Sequence, residues 1–210
     1  MIRTIAFDWD GVIVDSMPFI ARGIQETAAS YGVEKTLEEI ENGFFQPRKA
    51  YYSSIGIDTA DQEELNRRHF GFIDKYRRPA PLFPEVAEVL WFLKENKITL
   101  AVVSTGKTAQ LLEQITRFDL GDIFREDLVL GGEMAKSEKL SGLLNTLGAS
   151  QGETLYVGDL SSDITAARTA GILAAGIDRK ESGRKHLAIF NPDHLFSSLD
   201  DLKPLIEKQL

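Results

Sequence analysis

Apolar residues along this chain come in short β-branched runs that end abruptly at polar residues. Residues 2–7 are such a run, closing at Asp8; residues 98–103 close at Ser104, and residues 154–157 at Gly158 and Asp159. A weaker run at 127–130 ends at Gly131, and another spans 172–177. Each reads as a buried strand. Between them lie stretches with helical spacing of apolar positions: 84–97, 108–118, 137–147 and 163–170. Buried strands alternating with helices of about ten residues predict βαβ units, hence a parallel sheet covered on both faces, an α/β/α three-layer core. Ligands bind at the carboxyl ends of the strands in such sheets. Those ends carry Asp8, Asp10, Ser104, Thr105, Asp159 and Asp163.

The alternation breaks between residues 16 and 83. That stretch shows helical patterns at 18–31, 36–42, 47–54 and 61–77, and no convincing strand. It closes on Pro79-Ala80-Pro81-Leu82-Phe83-Pro84, a stiff linker. The expected organisation is a core of residues 1–15 plus 84–210, with an all-helical cap domain inserted at 16–83. Asn191-Pro192 marks a turn before a final helix at about 199–207.

Composition narrows the function classes. The chain has 210 residues, 43% hydrophobic and 27% charged, enough for a sizeable core. There is no cysteine, so disulfides, thiolate metal sites and thiol nucleophiles are excluded. Net charge is −8, against a nonspecific grip on nucleic acid or anionic lipid. The insert carries ten acidic and nine basic residues, so nearly all the net charge lies outside it. No apolar run reaches the roughly 18 residues of a membrane span. The first eight residues meet charge too early for a secretory signal peptide. The expected compartment is the cytoplasm, and the expected assembly a monomer or homodimer.

Four segments carry candidate chemistry. In Asp8-Trp9-Asp10-Gly11 two carboxylates lie two residues apart just after a strand, and face the same way if the extended backbone persists. Close like charges call for a cation between them or a shared proton, and a divalent oxygen-loving ion is the simple resolution. The same tetrapeptide also serves as a plain polar turn. In Gly158-Asp159-Leu160-Ser161-Ser162-Asp163 a helix starting near Ser161 turns Asp159 and Asp163 toward the strand end; Asp163 alone also fits a helix-start role. Val103-Ser104-Thr105-Gly106-Lys107-Thr108 joins a strand to a helix, and its hydroxyls and backbone N–H groups suit a phosphate or a helix N-cap. It is not a P-loop, whose first glycine would fall at Ala101. Lys136 and Lys139 flank a helix start for which Ser137 is the expected N-cap; a lysine there opposes the helix dipole and suggests an anionic partner.

Taken in order, these segments resemble the haloacid dehalogenase superfamily, over nearly the whole chain and most specifically at residues 8–16 and 158–163. Its phosphoglycolate-phosphatase-like members are the most similar in overall organisation. The resemblance implies a Rossmann-like core, a helical cap between the first and second motifs, and Mg2+-dependent phosphatase chemistry on a small phosphorylated metabolite. It implies Asp8 as nucleophile and Asp10 as general acid and then base. It assigns Ser104, with the backbone N–H groups of Thr105 and Gly106, to the phosphoryl oxygens, and Lys136 to charge neutralisation. Asp8, Asp159 and the backbone carbonyl of Asp10 would hold Mg2+, with Asp163 in support. Carboxylate nucleophiles and metal-assisted phosphoryl transfer are consistent with general chemistry.

The chain departs from the family pattern at Ser137, where relatives have proline, and at Val12, Leu160 and the Ser104-Thr105 pair. The first departure leaves the choice between Lys136 and Lys139 open. Within the insert, Arg48 is placed to pair with a second anion on the substrate, while Phe44, Phe45, Tyr51 and Tyr52 are expected to form the insert's own core. Asp15 and Ser16 are expected to cap the first insert helix or the hinge, and His69, His186 and His194 have no metal-binding spacing. A sugar phosphomutase of the same architecture shares these motifs. A phospho-accepting signalling domain fits less well, being shorter and lacking a lid. A dinucleotide-binding fold fails because no glycine-rich turn follows the first strand.

Overall fold

The computed structural model describes residues 1–44, 48–76 and 80–209. These residues form a six-stranded parallel sheet from β1 (Thr4–Phe7), β2 (Thr99–Val103), β3 (Val129–Leu130), β4 (Thr154–Gly158), β5 (Leu173–Ile177) and β6 (His194–Phe196). Strand order is β3-β2-β1-β4-β5-β6. β1 is central and buried along its whole length. Phe7 stands beside Val102 of β2 on one side and Val157 of β4 on the other. The residues that follow these strands, Asp8, Ser104 and Asp159, therefore emerge side by side. The chain order also reverses here: β2 and β3 build one way from β1, and β4 starts the other way. That is the topological switch point where α/β sheets open a ligand crevice.

The chain divides into two units, residues 1–14 with 82–210, and residues 15–81. In the first, α5 (Val86–Glu95), α6 (Thr108–Arg117), α7 (Lys136–Leu147), α8 (Ser161–Thr169), α9 (Glu181–Ala188) and α10 (Leu202–Glu207) connect or follow the strands. One face of the sheet packs Ala6, Ala101, Val103, Tyr156 and Ala174 against Leu140, Leu143, Ile164 and Ala167 of α7 and α8. No described helix is long and apolar enough to cross a membrane. The insert holds α1 (Met17–Ala29), α2 (Leu37–Gly43), α3 (Arg48–Ser54) and α4 (Gln62–Tyr76). α2 begins with a reciprocal cap, Thr36 Oγ1 accepting the Glu39 N–H and Glu39 accepting the Thr36 N–H. Gly23 lets α4 approach α1, since a Cβ there would meet Ile73 at 2.7 Å.

Several expectations are corrected. β6 and α9 have no strong apolar pattern: β6 is a three-residue edge strand, and α9 buries only Leu187. The run at 127–130 is mostly a 3₁₀ turn, with strand only at Val129–Leu130. The run from residue 2 pairs only from Thr4. The final segment divides into a 3₁₀ turn, Leu199–Asp201, and α10. α7 begins at Lys136 with Ala135 at the N-cap position, so Ser137 lies inside the helix. Ser16 occupies the N-cap position of α1, but its hydroxyl makes no capping bond and is buried without a hydrogen-bond partner among the described residues. Tyr51 and Tyr52 are buried in the insert's core and Phe44 packs on it; Phe45, and Pro79 of the linker, lie outside the described residues.

One buried titratable group stands at the centre of the insert. His69 Nδ1 and the Tyr52 hydroxyl are 2.8 Å apart, and the ring meets Phe70 edge to face. Burial, reinforced by the Arg48 charge, pushes the His69 pKa down to about 4. The unfolded chain takes up this proton near pH 6.5, the folded insert only near 4. The associated stability is therefore present above about pH 6.5 and is lost as pH falls toward 4, on the order of 3 kcal/mol in all. His69→Gln lacks this dependence. Hydrogen exchange of α4 in both proteins checks it: the excess protection of the wild type should shrink between about pH 7 and about pH 4.5. A constant excess would contradict it.

Candidate active site

β1 delivers Asp8 into the crevice. Its N–H still bonds across the sheet to the Val157 carbonyl at 2.9 Å, so the residue sits at the last rung of the ladder. Asp8 is buried, and both carboxylate oxygens have donors: Oδ1 accepts the Trp9 N–H at 2.7 Å and Oδ2 accepts Lys136 Nζ at 2.6 Å. The strand ends there. The Trp9 carbonyl accepts both the Ile13 and Val14 N–H groups, and Gly11 N–H returns to Val14 O, which folds residues 9–14 into a tight turn. Trp9 pins the turn from below: its indole is fully buried, edge-on to Phe124, and donates Nε1–H to Gln114 Oε1 at 3.0 Å.

Asp10 lies on this turn. Asp10 is exposed. The three carboxylates that converge, each with an oxygen within 4.8 Å of the others, are Asp8, Asp159 and Asp163. Asp10 is not one of these three; β1 stops at Phe7, and Asp10 lies on the exposed turn beyond it. The part assigned to Asp10 in metal binding was its backbone carbonyl.

Glycines make room for this cluster. Gly11 has φ +76°, and a Cβ on it would fall 2.1 Å from Asp159 Oδ2; a Cβ on Gly158 would fall 2.3 Å from that of Asp163. Asp163 lies in the first turn of α8, and its oxygens are taken: Oδ2 accepts the Leu160 N–H at 3.0 Å and Oδ1 accepts Lys136 Nζ at 2.6 Å. Lys136 thus bridges two of the three carboxylates.

Charge is unbalanced here. Burial, then the charges of Asp163 and Asp8, hold the Asp159 carboxyl well above the usual carboxylate range. Burial also raises Asp163, against the lowering influence of Lys136. Burial disfavours the Lys136 charge, but Asp8 and Asp163 outweigh it and raise its pKa. Three carboxylates with one ammonium leave excess negative charge in a desolvated pocket, and the donors are hard oxygens. Such a set fits a divalent cation of the Mg2+ type.

Ser104 and its loop form the other wall. Ser104 is buried, its N–H bonds Leu130 O, and its Oγ accepts the Gly106 N–H at 3.3 Å. The Gly106 N–H is therefore directed at Ser104; Thr105 is exposed and Gly106 half-buried. Lys139, one turn after Lys136, is buried rather than on the surface. Its Nζ donates to the Ser104 carbonyl at 2.6 Å and the Gly132 carbonyl at 2.5 Å. Gly132 N–H donates to Gly106 O, and Gly131 N–H to Thr108 Oγ1, which binds the β2–α6 and β3–α7 loops together. The two lysines are thus distinguished: Lys136 serves the carboxylates, Lys139 the loop carbonyls. Arg48 is engaged within the insert, donating to Asn66 Oδ1 at 2.8 Å and stacking over Phe70. The burial of Lys139 is a feature the sequence reading missed; its signal is the three-residue spacing from Lys136, which puts both on one helix face.

Residues 5–177 match the family of haloacid dehalogenase-like hydrolases. The phosphoglycolate phosphatase 1 of Pseudomonas aeruginosa is 27% identical over 220 residues, which covers 98% of this chain and 80% of that protein. The phosphoglycolate phosphatase of Haemophilus influenzae is 27% identical over 221 residues, covering 97% of this chain and 98% of that protein. The solved structure of a haloacid dehalogenase-like family hydrolase from Streptococcus pneumoniae superposes with a TM-score of 0.79 at 20% identity, covering 97% of this chain and 98% of that one.

The geometry around Lys139 has a measurable consequence. Lys139→Met leaves two loop carbonyls without their donor, so the unfolding free energy should fall by about 1–3 kcal/mol. Lys208→Met, at an exposed position, should change it by less than about 0.5 kcal/mol. Urea unfolding of the two variants decides it, and equal stabilities would contradict the assignment.

Proposed function

The chain belongs to the haloacid dehalogenase-like hydrolases, and on that premise we propose that it is a Mg2+-dependent phosphomonoesterase that hydrolyses a small phosphorylated metabolite through a phosphorylated Asp8. The observation that carries this reading is the state of Asp8: a buried carboxylate at the end of the central strand, held by Lys136 and the Trp9 N–H beside two further carboxylates.

The steps follow from the residues. An oxygen of Asp8 attacks phosphorus, and the bond from phosphorus to the leaving alcohol breaks. Repulsion between carboxylate and phosphate dianion is the main obstacle. Lys136 offsets part of it. Asp8, Asp159 and the Asp10 carbonyl would hold Mg2+, which would supply the remaining positive charge, and Asp163 orients Lys136. The Ser104 hydroxyl already accepts the Gly106 N–H, so its own proton is available to a phosphoryl oxygen, beside the Thr105 N–H. Asp10 gives its proton to the departing alkoxide. As a carboxylate it then removes a proton from water, whose oxygen attacks phosphorus and releases Asp8 and inorganic phosphate.

The relatives named phosphoglycolate phosphatases support a compact, doubly anionic substrate of the 2-phosphoglycolate kind. Arg48 of the insert is assigned the substrate's second anionic group. A phosphate-release screen with Mg2+ over 2-phosphoglycolate, hexose phosphates, nucleotides and pyrophosphate should give highest turnover on small monoesters. Transfer of phosphate between sugar positions without release would instead identify a mutase.

Two further outcomes are expected. Excess chelator should abolish turnover and added Mg2+ restore it; full activity in metal-free protein would refute the metal requirement. Asp8→Asn should be inactive and form no phosphoenzyme. Asp10→Asn, given an aryl phosphate, should accumulate one phosphoryl group on Asp8, because hydrolysis has lost its base. Intact-protein mass spectrometry after acid quench reads both. A phosphoryl group mapping elsewhere overturns the covalent route.

A further inference from the structure

Arg179 lies two residues beyond the carboxyl end of β5 and belongs to none of the motifs described above. Its guanidinium reaches two separate stretches of chain. Nη1 donates to the Gly11 carbonyl at 3.2 Å, and Nη2 approaches the Val12 carbonyl at 3.5 Å. Nη2 also donates to Glu85 Oε1 at 2.6 Å, and Cζ stands 3.2 Å from the centroid of the Phe83 ring. Gly11 and Val12 belong to the turn that holds Asp10. Phe83 and Glu85 belong to the segment in which the chain re-enters the core. The two stretches pair directly as well: Phe83 N–H donates to Ile13 O, and Val14 forms an antiparallel bridge with Leu82. Arg179 closes this pairing from outside.

What the turn carries gives the contact its meaning. Asp10 sits in it, and Gly11 packs directly against the Asp159 carboxylate. A shift of this turn moves the one carboxylate assigned to proton transfer. The Gly11 and Val12 carbonyls have no helix or strand to hold them. A planar fork can reach both carbonyls while it stacks on Phe83 and is neutralised by Glu85; an ammonium cannot. The pair is also well shielded, with side-chain exposures of 26% for Arg179 and 14% for Glu85, so it is stiffer than a surface ion pair.

We propose that Arg179 is a positioning residue for proton transfer: by holding the Gly11 and Val12 carbonyls against the Phe83–Glu85 segment, it fixes the turn that presents Asp10 to the leaving group. This rests on the reading of Asp10 as the general acid.

Leaving-group dependence tests it. An alkyl phosphate needs its alkoxide protonated; p-nitrophenyl phosphate scarcely does. kcat/KM, which reports the steps up to departure of the alcohol, is measured with Mg2+ for both substrates in wild type, Arg179→Met, Arg179→Lys, Glu85→Gln and Asp10→Asn. Arg179→Met should lose about 30-fold on the alkyl ester and less than about 3-fold on the aryl ester. Arg179→Lys and Glu85→Gln should fall in the same direction by smaller factors, and they carry the comparison if Arg179→Met does not fold. Equal losses on both esters in these variants, with Asp10→Asn still discriminating between them, would overturn the role of Arg179 alone. No discrimination in Asp10→Asn would overturn the general-acid reading and the proposal with it.

Discussion

Three carboxylates gathered at the end of a buried strand repel one another, and much of the local structure exists to hold them there. Asp8, Asp159 and Asp163 have oxygens within 4.8 Å of one another, in a setting whose desolvation already disfavours their charges. Lys136 is the cation within the chain that meets this, and it does so by bonding Asp8 and Asp163 together. The backbone supplies the rest: the Trp9 N–H for Asp8 and the Leu160 N–H for Asp163. Gly11 and Gly158 follow from the same constraint, since a Cβ on either would occupy the space of a carboxylate. Replacing a glycine here would displace the charges before it strained the backbone, although Gly11 would meet both penalties.

The sheet makes this gathering possible. Only neighbouring strands end within reach of one another, at a spacing of about 4.8 Å. β1 lies between β2 and β4, so Asp8, Ser104 and Asp159 are neighbours although nearly 100 residues separate the first from the second. α7 returns from the β3 side and brings both lysines on one face. Lys136 reaches across to the carboxylates, and Lys139 stops at the loop carbonyls of Ser104 and Gly132. Two residues of the same type, one turn apart, thus do different work because their ammonium groups end in different shells of acceptors.

How much of this was legible in the sequence depends on range. The central strands were legible because a fully buried parallel strand is a continuous apolar run, and Asp8 and Asp159 because each breaks such a run. Edge elements were not: β6 needs no apolar run, and α9 buries a single leucine. Alternation along an extended strand cannot place Asp10, because β1 ends at Phe7 and Asp10 lies on the turn beyond it. Ser137 looked like a helix cap because its side chain suits one, yet the helix starts one residue earlier, where Lys136 is drawn to the carboxylates. Gln114 and Arg179 owe their roles to partners 105 and 168 residues away, and no local pattern encodes a partner at that distance. Arg179 had one available signal, its place just past a strand's carboxyl end, where side chains face the crevice.

The exposed position of Asp10 is then consistent with the reaction proposed. In that reaction Asp159 and Asp163 exchange no proton, and Asp8 gives its charge to the bond with phosphorus and recovers it when that bond is hydrolysed. A general acid changes its charge by proton transfer instead. It must give up a proton and recover one within each turnover, so its charge changes twice. A carboxylate inside the cluster would feel each change as a large electrostatic penalty. On an exposed turn, bonded through Trp9 on one side and Arg179 on the other, Asp10 can exchange its proton while held in position. The tight turn after Trp9, which removes Asp10 from the group of three, is on this argument the feature that lets two carboxylates two residues apart perform different chemistry.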